Sequence, residues 1–178
     1  MTDISLAAAS LVALSPRALY TLRDRVGAQA LQEAGYAAGE GAYQAFVGWL
    51  PGVAGVDDPK ELAAPRLADV LSRFFSSLGW GTLEVQTLGD ATFAVDSLNW
   101  PEAQPDAGLQ YPSCSFTSGL LADFMTRIAE AGLAVMEVEC RSRGDHRCRW
   151  LVGSPETLTS LYEHMAQGAD YRTILGAA

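Results

Sequence analysis

The sequence predicts an α+β fold in which an antiparallel four-stranded sheet packs against about five helices. Apolar residues recur at helical spacing before residue 79 and again over 114–132. By contrast, the stretches 80–98 and 135–152 alternate between polar and apolar residues, as strands with one buried face do. Each alternating stretch contains a Gly-Asp turn sequence, so each is expected to form two antiparallel strands.

The chain is predicted to be one domain without a linker or an internal repeat. Its 178 residues are enough to bury a core, and 49% hydrophobic and 19% charged residues are typical of a globular protein. The predicted parts of the domain 1–178 are an N-terminal arm (1–14), a helical part (15–79), a sheet with an intervening helix (80–153) and a C-terminal helix (154–178).

Capping residues and prolines set the predicted helix boundaries. Ser15 and Pro16 begin the first helix, because serine caps helix N-termini and proline suits the first helical position. We expect this helix to reach about Ala38, where Gly39 and Gly41 interrupt it. The other elements are a helix that stops at Pro51, a helix from Asp57 to Gly79, a proline-rich loop or lid at 99–113, a helix at 114–132 and a last helix from Ser154.

Charge and hydropathy exclude several classes of partner. A formal net charge of −9 with Lys60 as the single lysine argues against nucleic-acid or anionic-membrane binding. No apolar run approaches the roughly 18–20 residues of a membrane span. The N-terminus lacks the basic region of a signal peptide, so we expect a cytoplasmic protein. In that compartment, three cysteines suggest metal binding or reactivity before disulfides.

The stretch from Val135 to Trp150 carries most of the reactive side chains. A reversal centred on Gly144 would place Cys140 opposite Cys148, close enough for two thiolates to share a metal. Cys114 begins the helix that would cover the same face. Three thiolates and one further ligand would complete a tetrahedral zinc site, but inert buried thiols or a disulfide are alternatives. The arginines of this hairpin are expected to pair with its glutamates on the charged face.

The same hairpin resembles a known family. Glu137-Val138-Glu139-Cys140, Gly144-Asp145 and Cys148-Arg149-Trp150 look like the C-terminal signature of the 4-vinyl reductase domain family. That family includes the bacteriochlorophyll-pathway protein for which it is named and the sensor domains of phenol- and xylene-responsive activators. Its fold is shared with TRAPP-type transport components. The resemblance therefore implies a ligand-binding fold of the NO-signalling and Golgi-transport type.

The resemblance also implies a structural zinc held by Cys114, Glu137, Cys140 and Cys148. Strict alternation along the strand, however, places Glu137 on the face opposite Cys140. Either a β-bulge re-aims Glu137, or His146 on the thiol face supplies the fourth ligand. The resemblance favours Glu137. A zinc ion with four protein ligands has no open position, so it would fasten the hairpin to the helix and not catalyse a reaction.

Function is then expected in an apolar cavity between sheet and helices. The leading hypothesis is a zinc-stabilised domain that binds a small hydrophobic or tetrapyrrole-like ligand as a sensor or carrier. The alternatives are an accessory protein or enzyme of 4-vinyl reduction in (bacterio)chlorophyll biosynthesis, and a homodimeric scaffold that assembles through its N-terminal helices. No nucleophile–base pair or phosphate loop occurs, so a non-enzymatic role is favoured. The candidate lining residues, for each of which plain core packing is the alternative, are Phe93, Trp100, Tyr111, Phe116, Phe124, Val135 and Trp150.

Overall fold

A four-stranded antiparallel sheet lies at the centre of the computed structural model, which describes residues 14–176. The predicted N-terminal arm at 1–14 therefore lies outside the described residues, apart from Leu14. The α+β prediction is confirmed: the sheet has the order β1-β2-β4-β3 and is covered by helices. Its strands are β1 (Glu84–Leu88), β2 (Thr92–Ser97), β3 (Ala134–Glu139) and β4 (Cys148–Gly153).

Helices cover both faces of the sheet. The helices are α1 (Pro16–Val26), α2 (Ala28–Ala54), α3 (Ala64–Ser77), α4 (Ser115–Ala129), α5 (Pro155–Ala166) and α6 (Tyr171–Ile174). The larger core lies between the sheet and α2, α3 and α4, and the smaller core lies under α5 and α6. In the described part of the chain, no helix has the length and apolar character needed to span a membrane.

The first predicted helix boundary is wrong. The chain breaks at Gly27, whose φ is +84°, and α2 then continues through Gly39 and Gly41 and past Pro51. Gly39 is needed inside the helix because a Cβ atom there would lie 2.6 Å from the Asp123 side chain of α4. A glycine in this helix therefore permits close packing against α4 and does not mark a turn.

Two further boundaries differ from the sequence prediction. The helix expected from Asp57 is divided into a 3₁₀ turn, Pro59–Glu61, and α3, because the Asp58 side chain caps the short turn and Leu62 returns to extended backbone. The C-terminal part contains a second short helix, α6, whose N-terminus Asp170 caps. The strands and the helices that follow Ser15, Cys114 and Ser154 form where the sequence predicts them, with shorter ends.

Candidate metal centre and its surroundings

A β-bulge in the hairpin decides where Glu137 points. Glu137 pairs with Trp150, whereas the next paired residue on β3, Glu139, pairs with Arg149. The extra residue, Val138, shifts the alternation, so the Glu137 carboxylate joins the thiols of the hairpin. The structure thus contains the bulge that was the first of the two alternatives. His146, the other candidate ligand, is exposed in the turn.

Four potential ligand atoms converge beside this bulge. One atom from each of Cys114, Glu137, Cys140 and Cys148 lies within 4.8 Å of the others. The Sγ atom of Cys114 lies 3.8 Å from that of Cys140 and 3.9 Å from that of Cys148. These separations exceed the about 2.05 Å of a disulfide, but they match the about 3.8 Å between thiolates that bind one tetrahedral zinc at about 2.3 Å. The cluster could hold a metal ion.

The carboxylate of Glu137 has one satisfied and one unsatisfied oxygen. Its Oε2 accepts the backbone N–H of Cys114 at 2.8 Å. Its Oε1 is buried and has no hydrogen-bond partner among the described residues. A buried acceptor without a partner costs about 1–3 kcal/mol, and native proteins rarely tolerate one. A cation bound between this oxygen and the thiolates would remove the cost, so the donor set fits a metal.

The turn of the hairpin holds the backbone of Cys140 by hydrogen bonds. Asp145 accepts the backbone N–H of Cys140 at 2.7 Å through Oδ2, and the same oxygen accepts Nε of Arg143 at 2.8 Å. Gly144 adopts a φ of +100°, which closes the 3₁₀ turn Arg141–Arg143. These contacts therefore set the position of Cys140 before β4 begins at Cys148.

Burial opposes the ionisation of this cluster as a whole. Burial raises the pKa of the Cys114 thiol well above its usual value, and burial together with the charge of Cys140 raises the pKa of Glu137. Hydrogen bonds from the thiols of Cys114 and Cys148 lower the pKa of Cys140. The protein by itself thus favours one negative charge here, and full ionisation of the four groups needs a positive partner.

Three of the predicted pocket residues share one face of the sheet. Phe93 on β2 and Val135 on β3 both pair with Val152 of β4, and Trp150 lies one row further along the same face. Trp100, from the loop after β2, packs edge-to-face on Trp150 with ring centroids 5.5 Å apart. The indole N–H of Trp150 is buried without a partner among the described residues.

The other predicted pocket residues lie in different surroundings. Phe124 of α4 packs directly against the rings of Phe46 and Phe75, at centroid distances of 5.5 Å and 5.4 Å. Phe116 is half-buried and stacks on Trp80 at 5.9 Å. Tyr111 is 70% exposed, so its side chain is outside the core. The structure therefore brings together Phe93, Trp100, Phe124, Val135 and Trp150, with Phe116 at the border.

Sequence reasoning missed the buried acid Glu102. Its carboxylate accepts the backbone N–H groups of Phe116 and Thr117 at 2.9 Å and 2.8 Å, so it caps the N-terminus of α4. The hydroxyl of Thr117 also donates to it and accepts the indole N–H of Trp100 at 2.6 Å. Burial raises the pKa of Glu102 to about 7 against these hydrogen bonds. No sequence pattern marks this residue, because its partners lie 14 and 15 positions away.

The charged residues of the hairpin pair only partly as expected, because Arg147 binds Glu139 through Nε at 2.9 Å, whereas Arg149 and Glu137 have other partners. Arg149 is buried and binds Asp96 of β2 through Nε at 2.7 Å and Nη2 at 2.6 Å. Glu139 accepts hydrogen bonds from Tyr171, Arg147 and Arg172. Glu137 faces the thiols instead of an arginine. The cross-strand pairing with β2 and the packing of α6 supply Asp96, Tyr171 and Arg172 as partners, and neither is visible in the hairpin sequence.

The family comparison now bears on this site. Residues 101–154, which contain all four convergent residues, match the model of the 4-vinyl reductase domain family. The resemblance inferred from the cysteine hairpin is thereby confirmed. A curated relative, an uncharacterized protein of Methanocaldococcus jannaschii, is 31% identical over 98 residues. That alignment covers 55% of this chain, which spans about half (52%) of the length of the relative.

Solved structures that share the fold of this chain include three kinds of protein. The phenol-responsive sensory domain of the transcription activator PoxR, solved with phenol, has a TM-score of 0.59 at 14% identity, covering 88% of this chain and 77% of its own. A vinyl-4-reductase family protein of Methanocaldococcus jannaschii has a TM-score of 0.53 at 20% identity. The alignment covers 83% of this chain and 87% of that protein. The third is a trafficking protein particle complex subunit 3 of Naegleria fowleri, covalently bound to palmitic acid. Its TM-score is 0.56 at 15% identity, and the alignment covers 78% of this chain and 89% of that protein. These similarities confirm the predicted fold.

Proposed function

We propose that this chain is a zinc-stabilised domain that binds a small hydrophobic ligand as a sensor or carrier. The observation that carries the metal part is the unsatisfied Oε1 of Glu137 beside three buried thiols. Three thiolates with one carboxylate suit zinc, and soft sulfur ligands disfavour magnesium or calcium. Bound zinc would supply positive charge and a cross-link between β3, β4 and α4. The four residues would fill its shell, so its role is structural.

The ligand part of the proposal rests on the sheet face that holds Phe93, Val135 and Trp150. The buried N–H of Trp150 is an unsatisfied donor on an otherwise apolar surface, so a ligand with one hydrogen-bond acceptor would complement it. Two proteins with this fold support a partly apolar ligand, since one was solved with phenol and another with palmitic acid. Ligand entry requires the aromatic side chains around Trp100 to move apart.

Elemental analysis and mass spectrometry of the purified full chain test this proposal together. We expect one zinc per chain and a co-purifying apolar molecule that carries an oxygen or nitrogen acceptor. The Trp150→Phe variant keeps an aromatic ring but removes the N–H, so it should retain zinc and lose most of the bound molecule. The matched control Trp49→Phe changes a tryptophan of α2 that packs on Phe74 and is not among the candidate lining residues. A stable metal-free wild type would contradict the zinc, and equal ligand retention by both variants would contradict the role of Trp150.

We also propose a homodimer formed through the N-terminal helices. The specific observation is a set of exposed apolar side chains on α1 and α2: Leu22 is 41%, Val26 is 52% and Tyr36 is 50% exposed. Leu22 and Val26 are one helical turn apart on α1, and contiguous exposed apolar side chains are typical of an interaction site. Light scattering should give twice the chain mass for the wild type and the chain mass for Val26→Glu. A wild type that is monomeric at all concentrations would exclude this assembly.

A further inference from the structure

The segment 101–104 lies between the cysteine hairpin and helix α1, and it is hydrogen-bonded to both. On the hairpin side, the hydroxyl of Ser142 accepts the backbone N–H of Gln104 at 2.8 Å. The carbonyl of the same serine accepts the N–H of Leu109 at 2.8 Å. Ser142 is fully buried and lies two residues after Cys140. The position of the loop is therefore tied to the part of the hairpin that carries the thiols.

On the other side, α1 is bound to the same segment. The hydroxyl of Tyr20 donates to the carbonyl of Pro101 at 2.7 Å and lies 3.2 Å from the carbonyl of Ala103. Nη2 of Arg23 donates to the side-chain oxygen of Gln104 at 3.0 Å. Gln104 thus contacts the hairpin through its backbone and α1 through its side chain. No contact between Ser142 and α1 is required for the two to be linked.

Within one chain, the described residues hold helix α1 by few other contacts. Leu19 is its only buried residue, and Gly27 separates it from α2. An 11-residue helix is shorter than the about 12–15 residues that an isolated helix needs for marginal stability in water. When α1 is not docked it should therefore lose its helical hydrogen bonds, so the amide exchange of α1 reports its docking.

We propose that α1 is a movable element whose docking is set by the cysteine hairpin through residues 101–104. Trp100, a residue of the proposed ligand surface, directly precedes this segment and is tied through Thr117 to Glu102 within it. A structural change at the thiol cluster or at Trp100 thereby alters the docking of α1 through the backbone of residues 101–104. The inference goes beyond the proposed function and does not require that the thiol cluster hold a metal.

Hydrogen exchange measured by mass spectrometry on the full chain tests the link. In Ser142→Ala, exchange of α1 should rise about five-fold, the factor expected from one lost hydrogen bond, while α2 and α4 keep wild-type rates. Coupling is reciprocal, so Tyr20→Phe should speed exchange at the amides of Gln104 and Leu109. Ser160→Ala and Tyr162→Phe on the exposed side of α5 are matched controls that should leave both regions unchanged.

The reciprocal design keeps the inference testable even if Ser142→Ala unfolds, because Tyr20→Phe then decides it alone. Wild-type exchange at Gln104 and Leu109 in Tyr20→Phe, or wild-type exchange of α1 in a folded Ser142→Ala, overturns the link. Metal content is measured in every sample. A metal-free wild type that still shows the coupling refutes the zinc proposal only, whereas a metal-loaded protein without the coupling refutes this inference only.

Discussion

The Glu137 carboxylate accepts the backbone N–H of Cys114 at 2.8 Å, across 23 positions of sequence. This bond joins the bulged strand β3 to the first turn of α4 through protein atoms alone. The thiols of Cys140 and Cys148 lie in the same cluster, so the donor atoms are already gathered. A set of donors that is positioned in advance loses less conformational entropy when an ion binds. We therefore expect this cluster to bind metal tightly.

The Glu137→Gln substitution tests the role of the carboxylate charge. The amide oxygen can still accept the Cys114 N–H, but the second position becomes a neutral NH₂ group that cannot ligate a cation. Zinc affinity should fall by more than the about 10- to 100-fold that outer-shell substitutions cost. Competition with a chromophoric chelator measures it, with the exposed Glu163→Gln as control. Equal affinities in the two variants would exclude Glu137 as a ligand.

Glu102 should make stability depend on pH. Its pKa is raised to about 7 in the folded protein, so the folded state binds this proton more tightly than the unfolded chain, whose pKa is near the usual 4.5. The contribution is most favourable below pH 4.5 and is lost as the pH rises through 7. Each unit of difference between the folded and unfolded pKa corresponds to about 1.4 kcal/mol, so the free energy of unfolding falls by about 3 kcal/mol.

The Glu102→Gln variant isolates this effect from the other titrating groups. Urea unfolding of both proteins between pH 4.5 and 8 gives the difference in unfolding free energy at each pH. Between pH 4.5 and 7 the wild type should lose about 3 kcal/mol of unfolding free energy relative to the variant. Any pH-independent effect of the substitution does not alter this change. A difference that is flat across this interval would show that Glu102 is not the group responsible.

Close packing of α2 on α4 depends on glycines at the contact between the two helices. A Cβ atom at Gly119 of α4 would overlap the backbone carbonyl of Gln32 in α2. Gly119→Ala must push the helices apart, so we expect a loss of about 1–3 kcal/mol or more in unfolding free energy. Gly48→Ala in α2 meets no atom within 4 Å and should be about 0.5–1 kcal/mol more stable. Denaturant titration compares the two, and equal effects would contradict the close approach.

The buried ion pair between Asp96 and Arg149 should contribute strongly to the free energy of unfolding. The two side chains are 8% and 5% exposed. Removing the Asp96 charge leaves the buried Arg149 guanidinium with a neutral amide and the Tyr171 hydroxyl as its hydrogen-bond partners. We expect Asp96→Asn to cost about 3–5 kcal/mol. Asp69→Asn breaks an exposed pair with Arg66 and should cost at most about 1 kcal/mol. Thermal and urea unfolding measure both, and similar small losses would mean that the buried pair contributes little.

Local residue patterns were enough to predict much of the hairpin. Gly144 turns the chain at the predicted place because a positive φ is accessible to glycine. Helix starts at Pro16 and Pro155 follow from Ser15 and Ser154, whose side chains accept backbone N–H groups. The glycines of α2 misled the same reasoning, because glycine also serves close helix packing, which depends on a partner far along the chain.

The sequence by itself determined that Cys140 and Cys148 flank one turn, that Cys114 begins the helix beside them, and that the fold is α+β. These features depend on spacing and on local backbone preferences. Only the tertiary structure decided which way Glu137 points and which groups Glu102, Arg149 and Tyr20 bind. A one-residue bulge reverses the face of a side chain, and long-range pairing selects partners by geometry, so neither is encoded in a local pattern.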